Sequence, residues 1–483
     1  MTEPARTKRG YLAVTVTAAG GAFLSMLDST VTNLAVPDLH RDFTSATVAG
    51  LSWVVSGYAV LFAALLAPAG RLADVLGRRR LFVLGIGLFT LASVLCAVAP
   101  SLPILVVARM IQGAGAAAMI PASLAILLLD GPADKRASSI GLWSAASALA
   151  AAVGPSLGGV LVDLFGWRSV FLINLPFGAL LIFSALRLLA KQERRADAKV
   201  PDPLGTVLLA LGIGGLTLGV TEGGTWGWGD VKTLGALVLG LVLLVYVIVR
   251  SRSHPVPALD TTLWGNQTFM AANVVSLFYG MAQYPWLLVG VLYITDTWHY
   301  SELQAGLAMS PGAIAASIAA LQMGKFAAKH GGPRFATLVG LVAFLACGVW
   351  FMFGMTDHPA FLELWLPGGF LVGFGMGAAT YGTSAAAAMS APPIKFASAS
   401  GLNTTARQFG GALGIAILAV MLQLQAGPDG KLSLAAYTSV YTVCTGLVVV
   451  ALVVAFVWLR FTPAPAAPAP APVRAAEPEP ATD

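Results

Sequence analysis

Fourteen apolar runs, each near the roughly 20 residues that cross the hydrocarbon core of a bilayer, constrain this chain more than anything else in it. They lie near residues 11–36, 47–69, 81–99, 103–129, 138–162, 168–190, 204–222, 232–250, 268–294, 303–325, 334–355, 361–389, 396–424 and 434–460. In lipid every backbone N–H and C=O must be satisfied within the protein, so runs of this length are expected to be helices. Composition agrees. Of 483 residues, 57% are hydrophobic and 10% charged, against roughly 25% charged in a soluble globular chain. The lipid bilayer is the expected solvent, and no loop is long enough for a soluble domain. The expected fold class is all-α integral membrane, with about fourteen transmembrane helices.

Lys and Arg in the short loops set the orientation. With the N-terminus inside, the inner segments and termini hold 22 of the 28 basic residues, and the outer loops hold only Arg41, Arg168, Lys232 and Lys431. That bias puts both termini in the cytoplasm and requires an even number of spans. The net charge of +6 is spread over these short clusters, so no nucleic-acid partner is expected. Arg6, Lys8 and Arg9 precede an apolar stretch, as in a secretory signal. That stretch carries Asp28 and runs on to Pro37 without a clear cleavage site, so it is read as the first span. Nineteen Arg against nine Lys, with abundant Ala and Gly, suggest a GC-rich bacterial genome and hence a bacterial cytoplasmic membrane.

An internal repeat divides the chain. Gly70–Arg80, after the second span, reads GRLADVLGRRR; Gly324–Arg334, after the tenth, reads GKFAAKHGGPR. Two six-helix bundles follow, at 1–190 and 266–461, with a linker and two inserted central helices at 191–265. A disordered Pro/Ala-rich cytoplasmic tail is expected at 462–483. Paired bundles of this kind carry a substrate site at their interface near the midplane.

Cys96, Cys347 and Cys444 sit far apart within apolar runs, and the five histidines fall in separate connections, so no metal site and no cofactor are expected. The chemistry resides in the few polar residues inside spans. Asp28 lies nine residues before Pro37, about 13 Å below the outer end. A carboxylate at such depth costs about 2.5–3.5 kcal/mol and needs a partner, water or a proton. Ser25, Ser29 and Thr32 widen the polar stripe around it. Arg109 lies about 10 Å from the same surface, which makes an Asp28–Arg109 pair geometrically accessible. Proton coupling is therefore assigned to Asp28 and Arg109, against the alternative of a purely structural ion pair.

A conformational latch is expected around Gly70, Arg71, Asp74, Gly77 and Arg78, with Asp74 pairing across helices. Gly154, Pro155, Gly158 and Gly159 form a small-residue stripe that lets helices approach closely. Substrate-cavity candidates are Gln112 and the aromatic-rich set Asn273, Tyr279, Gln283, Tyr284 and Trp286. Arg407 and Gln408 are candidates for an inner gate. Trp226, Trp228 and Trp298 read as interface anchors, and Glu222 and Glu363 as solvated span ends.

Taken together, these segments resemble the major facilitator superfamily, specifically its fourteen-span drug:proton antiporters. Gly70–Arg80 is similar to the superfamily's loop signature, with Val75 in place of a basic residue. Leu27–Pro37, Arg109–Gly115 and Gly154–Gly159 resemble that branch's patterns for spans one, four and five, with Ala150 where a leading glycine is usual. Trp167–Arg168 through Asn174–Leu175–Pro176 resembles the same branch. The resemblance implies the major facilitator fold, alternating access, and export of small hydrophobic or cationic compounds in exchange for protons by a monomer. A facilitator or importer within the superfamily is the alternative reading. A membrane-embedded enzyme is disfavoured because no cluster of His, Asp or Glu marks one membrane face.

Overall fold

The computed structural model describes residues 8–44, 48–190, 201–425 and 432–460. Most of the expected charged linker (191–200) and the Pro/Ala-rich tail (462–483) lie outside the described residues. Among the described residues, fourteen helices are long and apolar enough to span a membrane. They are α1 (Lys8–Asn33), α2 (Val48–Leu76), α3 (Arg78–Ala97), α4 (Leu102–Leu129), α5 (Arg136–Phe165), α6 (Ser169–Leu188) and α7 (Pro203–Trp226). They continue with α8 (Val231–Ser253), α9 (Gln267–Asp296), α10 (Glu302–Phe326), α11 (Gly332–Gly354), α12 (Phe361–Met389), α13 (Phe396–Gln425) and α14 (Leu434–Trp458). Helix α2 continues past the apolar run to Leu76, because the helix outlasts the hydrophobic stretch and carries Arg71 and Asp74 on its last turns. Helix α6 is interrupted at Ile173. Pro176 has no N–H to give to the Leu172 carbonyl, so the helix restarts at Asn174.

Lipid gives helices no hydrophobic reason to associate, so close van der Waals packing between small residues has to hold them. A Cβ on Gly85 of α3 would lie 2.8 Å from the Met119 nitrogen of α4, and one on Gly115 only 2.6 Å from that of Phe89. The pair α11–α12 repeats this arrangement: a Cβ on Gly375 would lie 2.8 Å from the Gly340 carbonyl. Glycine is thus required at these crossings by distance alone. Gly373 and Gly377 of α12 face α10, and Gly410 and Gly414 of α13 face α9, as the small-residue spacing suggested.

Among the described residues, close backbone contacts between the first six spans and the last six lie at the end where α1 begins and α14 finishes, the end expected to face the cytoplasm and here called inner. There α5 meets α10, with the Cβ position of Gly141 2.7 Å from the Ala320 carbonyl and that of Gly324 2.7 Å from the Ala137 carbonyl. On the other side α2 meets α13. The Cβ position of Gly401 lies 2.5 Å from the Leu66 carbonyl, and Gly70 lies against the Ala397 carbonyl. Backbone therefore touches backbone at both crossings.

The α7–α8 hairpin packs on itself through Gly212, Gly215, Gly219 and Gly240, and α7 rests on α2 and α13. At its base Arg250 donates two hydrogen bonds to Asp202, one of them 3.0 Å long. Those bonds hold the Asp202 carboxyl down at about 2.

A side chain at position 324 cannot fit this crossing. Gly324→Leu is expected to lower stability by about 1–3 kcal/mol, seen as a reduced thermal midpoint of the detergent-purified protein. An unchanged midpoint would mean that the α5–α10 contact is not made in solution.

Candidate functional site

Asp28 sits five residues before the end of α1, about 7 Å from it along the axis. Its side chain has no exposure to solvent, and Arg109 has 1%. Arg109 Nη1 lies 2.6 Å from Asp28 Oδ2. Gln112 stands three residues after Arg109 on α4, hence on the same face. Its Nε2 donates to Asp28 Oδ1 at 2.7 Å and to Ser93 Oγ of α3 at 2.8 Å. Its Oε1 accepts from Arg109 Nη1 at 2.6 Å. Asn174 Nδ2, at the restart of α6, donates to Asp28 Oδ1 at 2.7 Å. Three helices, α1, α4 and α6, thus meet on one carboxylate, and α3 joins them through Ser93. Arg109 is held further by its Nε bond to the Val54 carbonyl of α2, 3.0 Å, and by the Tyr58 ring 4.4 Å from its guanidinium carbon.

A lone buried charge is prohibitive, and a buried pair repays its desolvation only if the remaining lone pairs are satisfied. Here the carboxylate accepts three hydrogen bonds, and the guanidinium has a carboxylate, an amide oxygen, a carbonyl and a ring face. Removing one member leaves the others unpaired in low dielectric.

Outside the network, Trp167 Nε1 and Arg168 Nη1 donate to Asp42, just past the outer end of α1, at 2.7 and 3.0 Å. These bonds, Trp167 first, hold the Asp42 carboxyl below the usual carboxylate range. The Trp167–Pro176 segment therefore ties α6 to the α1 chain at two levels, and so positions Asn174.

At the inner end Asp74 accepts from the backbone N–H of Ala397 (3.1 Å), the backbone N–H of Ser398 (2.8 Å) and Ser398 Oγ (2.5 Å). An acid of α2 thus caps the N-terminus of α13, where orphan N–H groups and the helix dipole favour negative charge. Arg78 does not join Asp74. Its Nη2 lies 2.8 Å from Asp130 Oδ1 of the α4 terminus. Arg71 and Lys395 both approach Asp260, at 3.9 and 2.6 Å. Burial opposes ionisation of Asp260, but Lys395 and Thr262 outweigh it and keep the carboxyl below its usual range. Gly77 has φ near 100°, a left-handed conformation that lets α2 and α3 join in so short a turn.

Several expected positions differ. Gln112 is fully buried within the Asp28 cluster, not exposed on a cavity wall. Asn273, Tyr279 and Trp286 turn into the packing among the last six spans. Tyr279 Oη bonds Thr380 Oγ1 at 2.8 Å, and the Trp286 ring lies 4.4 Å from that of Tyr441 and 5.0 Å from that of Phe344. Gln283 and Tyr284 remain half-buried, and Tyr284 bonds Gln408. Arg407 is eleven residues into α13, about 16 Å from its inner end, so it and Gln408 lie at mid-depth and not at an inner mouth. Gly154 and Gly158 pack against Thr30 and Val31 of α1, whereas Pro155 faces Gly306 of α10; Gly159 faces open space. Trp298 is buried, with its Nε1 3.2 Å from the Thr356 carbonyl. Glu222 is 2% exposed, not solvated.

Sequence reasoning had not assigned Ser93, Asn174, Ser398 or Asp260. Asn174 carried a signal, since an amide beside a proline within an apolar run needs a partner. Ser93 and Ser398 look like ordinary helix serines, and only the helix crossings give them a role.

An all-helical bundle of fourteen spans, with repeated helix-pair contacts and a sealed ion pair, is the architecture of a membrane transporter. The chain belongs to the Major Facilitator Superfamily, whose family profile matches residues 18–414 and, in a second alignment, 268–482. Among its relatives is the cephamycin export protein CmcT of Amycolatopsis lactamdurans, 35% identical over 420 residues, covering 86% of each chain. The multidrug resistance protein Stp of Mycobacterium tuberculosis (strain CDC 1551 / Oshkosh) is 34% identical over 414 residues, covering 85% of this chain and 75% of that one. In fold, the chain is similar to the human organic anion transporter MFSD10 (TETRAN). The TM-score is 0.67 and the identity 16%, with 94% of this chain and all of the other covered.

Asn174→Ala removes one donor from Asp28 while leaving the ion pair. A loss of about 1–3 kcal/mol is expected, read as a lower thermal midpoint; a midpoint equal to that of the parent would show that the amide does not carry the carboxylate.

Proposed function

We propose that this chain is a secondary exporter that exchanges small hydrophobic or cationic compounds for protons by alternating access. It acts as a monomer in a bacterial cytoplasmic membrane, with both termini in the cytoplasm. The observation that carries this reading is the Asp28 carboxylate, sealed from solvent and held by Arg109, Gln112 and Asn174. Relatives named for multidrug resistance and cephamycin export support the outward direction and a small-molecule cargo.

Asp28 is the proton carrier. Arginine cannot practically deprotonate, so the change of charge is confined to the carboxyl. Protonation cancels the attraction to Arg109 and turns one carboxylate acceptor into a donor. The guanidinium also holds the Val54 carbonyl and the Tyr58 ring, both on α2. Loosening the pair therefore shifts α4 relative to α2. Helix α2 carries that shift to its inner end, where Asp74 caps α13. Breaking the cap lets residues 1–190 and 266–461 rock apart as two bundles, with 191–265 as the insertion between them. Cargo passes between them at mid-depth, near Gln283, Tyr284, Arg407 and Gln408. Each charge moved through 100 mV supplies about 2.3 kcal/mol, enough for useful accumulation with one or two protons.

In proteoliposomes with an imposed pH gradient and ethidium as the probe, Asp28→Asn is expected to reduce gradient-driven ethidium movement to the protein-free background. Retained coupling in a folded Asp28→Asn protein would sink the assignment. Asp74→Asn removes charge-assisted bonds worth about 1.5–3 kcal/mol. It is expected to raise the alkylation rate of a cysteine placed at Ser138, under the α5–α10 crossing, by about tenfold. An unchanged rate would exclude a latch role for Asp74.

A further inference from the structure

The α7–α8 hairpin takes no part in the Asp28 network, yet it contains the second fully occluded acid of this region. Glu222 of α7 is 2% exposed, and its Oε2 has no hydrogen-bond partner. Among the described residues, no ion pair involves it. The Ser56 side chain of α2 is a polar neighbour of it. Helices α7 and α2 run antiparallel here, and two contacts one turn apart join them. Trp53 and Trp226 pair at 6.4 Å between ring centroids, and one turn deeper Ser56 meets Glu222. The Trp228 ring covers the adjacent Gly223, 2.7 Å from its Cβ position. Glu222 lies only four residues from the outer end of α7, about 6 Å in. The site is occluded but shallow, and indoles close it on the outer side.

The charged and titratable groups on the elements packed against α7 are engaged elsewhere or distant. Tyr58 of α2 turns to Ser25 and Arg109. Arg407 of α13 lies beside Ser384. On α8, Arg250 is bonded to Asp202 at the inner end, and Asp230 and Lys232 stand at the exposed outer end. An ionised carboxylate with one unpaired oxygen in such a place carries a desolvation penalty that the neutral acid largely avoids.

We propose that Glu222 is a second proton-binding site of this transporter, filled from the outer aqueous phase past the Trp53–Trp226 pair and coupled to Asp28 through one turn of α2. The inference rests on the proton-exchange reading above. Hydronium gives its proton to Oε2 and leaves as water; when α7 and α2 part, the O–H bond breaks and the proton returns to water. The coupling element is short. The Val54 carbonyl accepts from Arg109 on one side of α2, and Ser56, two residues on, addresses Glu222 on the other. A displacement of that turn alters both sites together, so a full cycle carries two protons.

Infrared difference spectroscopy of the full chain in lipid nanodiscs, titrated with acid and base, reads the site without any transported compound. The carbonyl band of a protonated carboxylic acid is expected to be lost in Glu222→Gln and kept in Asp28→Asn. Ser56→Ala, which removes the neighbouring hydroxyl, is expected to shift the titration midpoint of that band. In ethidium exchange, Glu222→Gln is expected to carry one proton fewer per ethidium. A spectrum in which Glu222→Gln removes no protonated-carboxyl band, or a midpoint unmoved by Ser56→Ala, overturns the proposal. Loss of proton exchange as a whole is tested separately by Asp28→Asn, so the two readings fail independently.

Discussion

The Asp28 carboxylate has no contact with water, and the packing of the first six helices follows from that. With donors from α4 and α6 converging on it, the charge is tolerated at a depth where it would otherwise force the helix out of the membrane. The requirement reaches outward. Gln112 can serve Asp28 only because Ser93 takes its second proton, and Arg109 can do so only because Val54 and Tyr58 occupy its other side. Asn174 reaches the site because α6 restarts at that residue, and the bonds from Trp167 and Arg168 to Asp42 fix the level at which it restarts. A network closed in this way fixes how α1, α3, α4 and α6 meet.

Helix α2 is the element common to every site described. Near its outer end it gives a carbonyl to Arg109 and places Ser56 beside Glu222; at its inner end it gives Asp74 to the N-terminus of α13. Val54 and Asp74 are twenty residues apart, about 30 Å along a helix. A helix of that length behaves as a lever, kinked at most near Pro68. The Arg109 contact near one end and the α13 cap at the other therefore sit on one helix, whose hydrogen-bond ladder lacks the N–H of Pro68.

The glycine crossings explain how such a bundle can hold together and still move. Backbone-to-backbone contact between α5 and α10, and between α2 and α13, gives dispersion attraction over many atoms without interlocking side chains. Among long side chains, Arg136 of α5 lies over the Phe396 ring of α13 across this face. The directional bonds at that face are few: Asp74 to the α13 terminus, and the Asp260 bridge between Arg71 and Lys395. The face is thus broad, smooth and pinned at a few charged points.

The apolar runs specified the helices, because in lipid a span of that length must satisfy its backbone internally, and the Lys/Arg bias gave their expected orientation; that α2 outlasts its apolar run to Leu76 was not legible there. The pairing of Asp28 with Arg109 was legible as a geometrically accessible one, since the two charges lie at similar depth and a carboxylate there needs a partner, water or a proton. Which residues surround them was not. Gln112 read as a cavity residue, Trp286 and Tyr279 as ligand surface, and Glu222 as solvated, because hydropathy encodes depth in the membrane but not which way a side chain faces within the bundle. Direction is decided by how helices cross. The α7–α2 crossing turns Glu222 inward and the α9–α11–α14 packing encloses Trp286, and both depend on contacts between residues far apart in the chain.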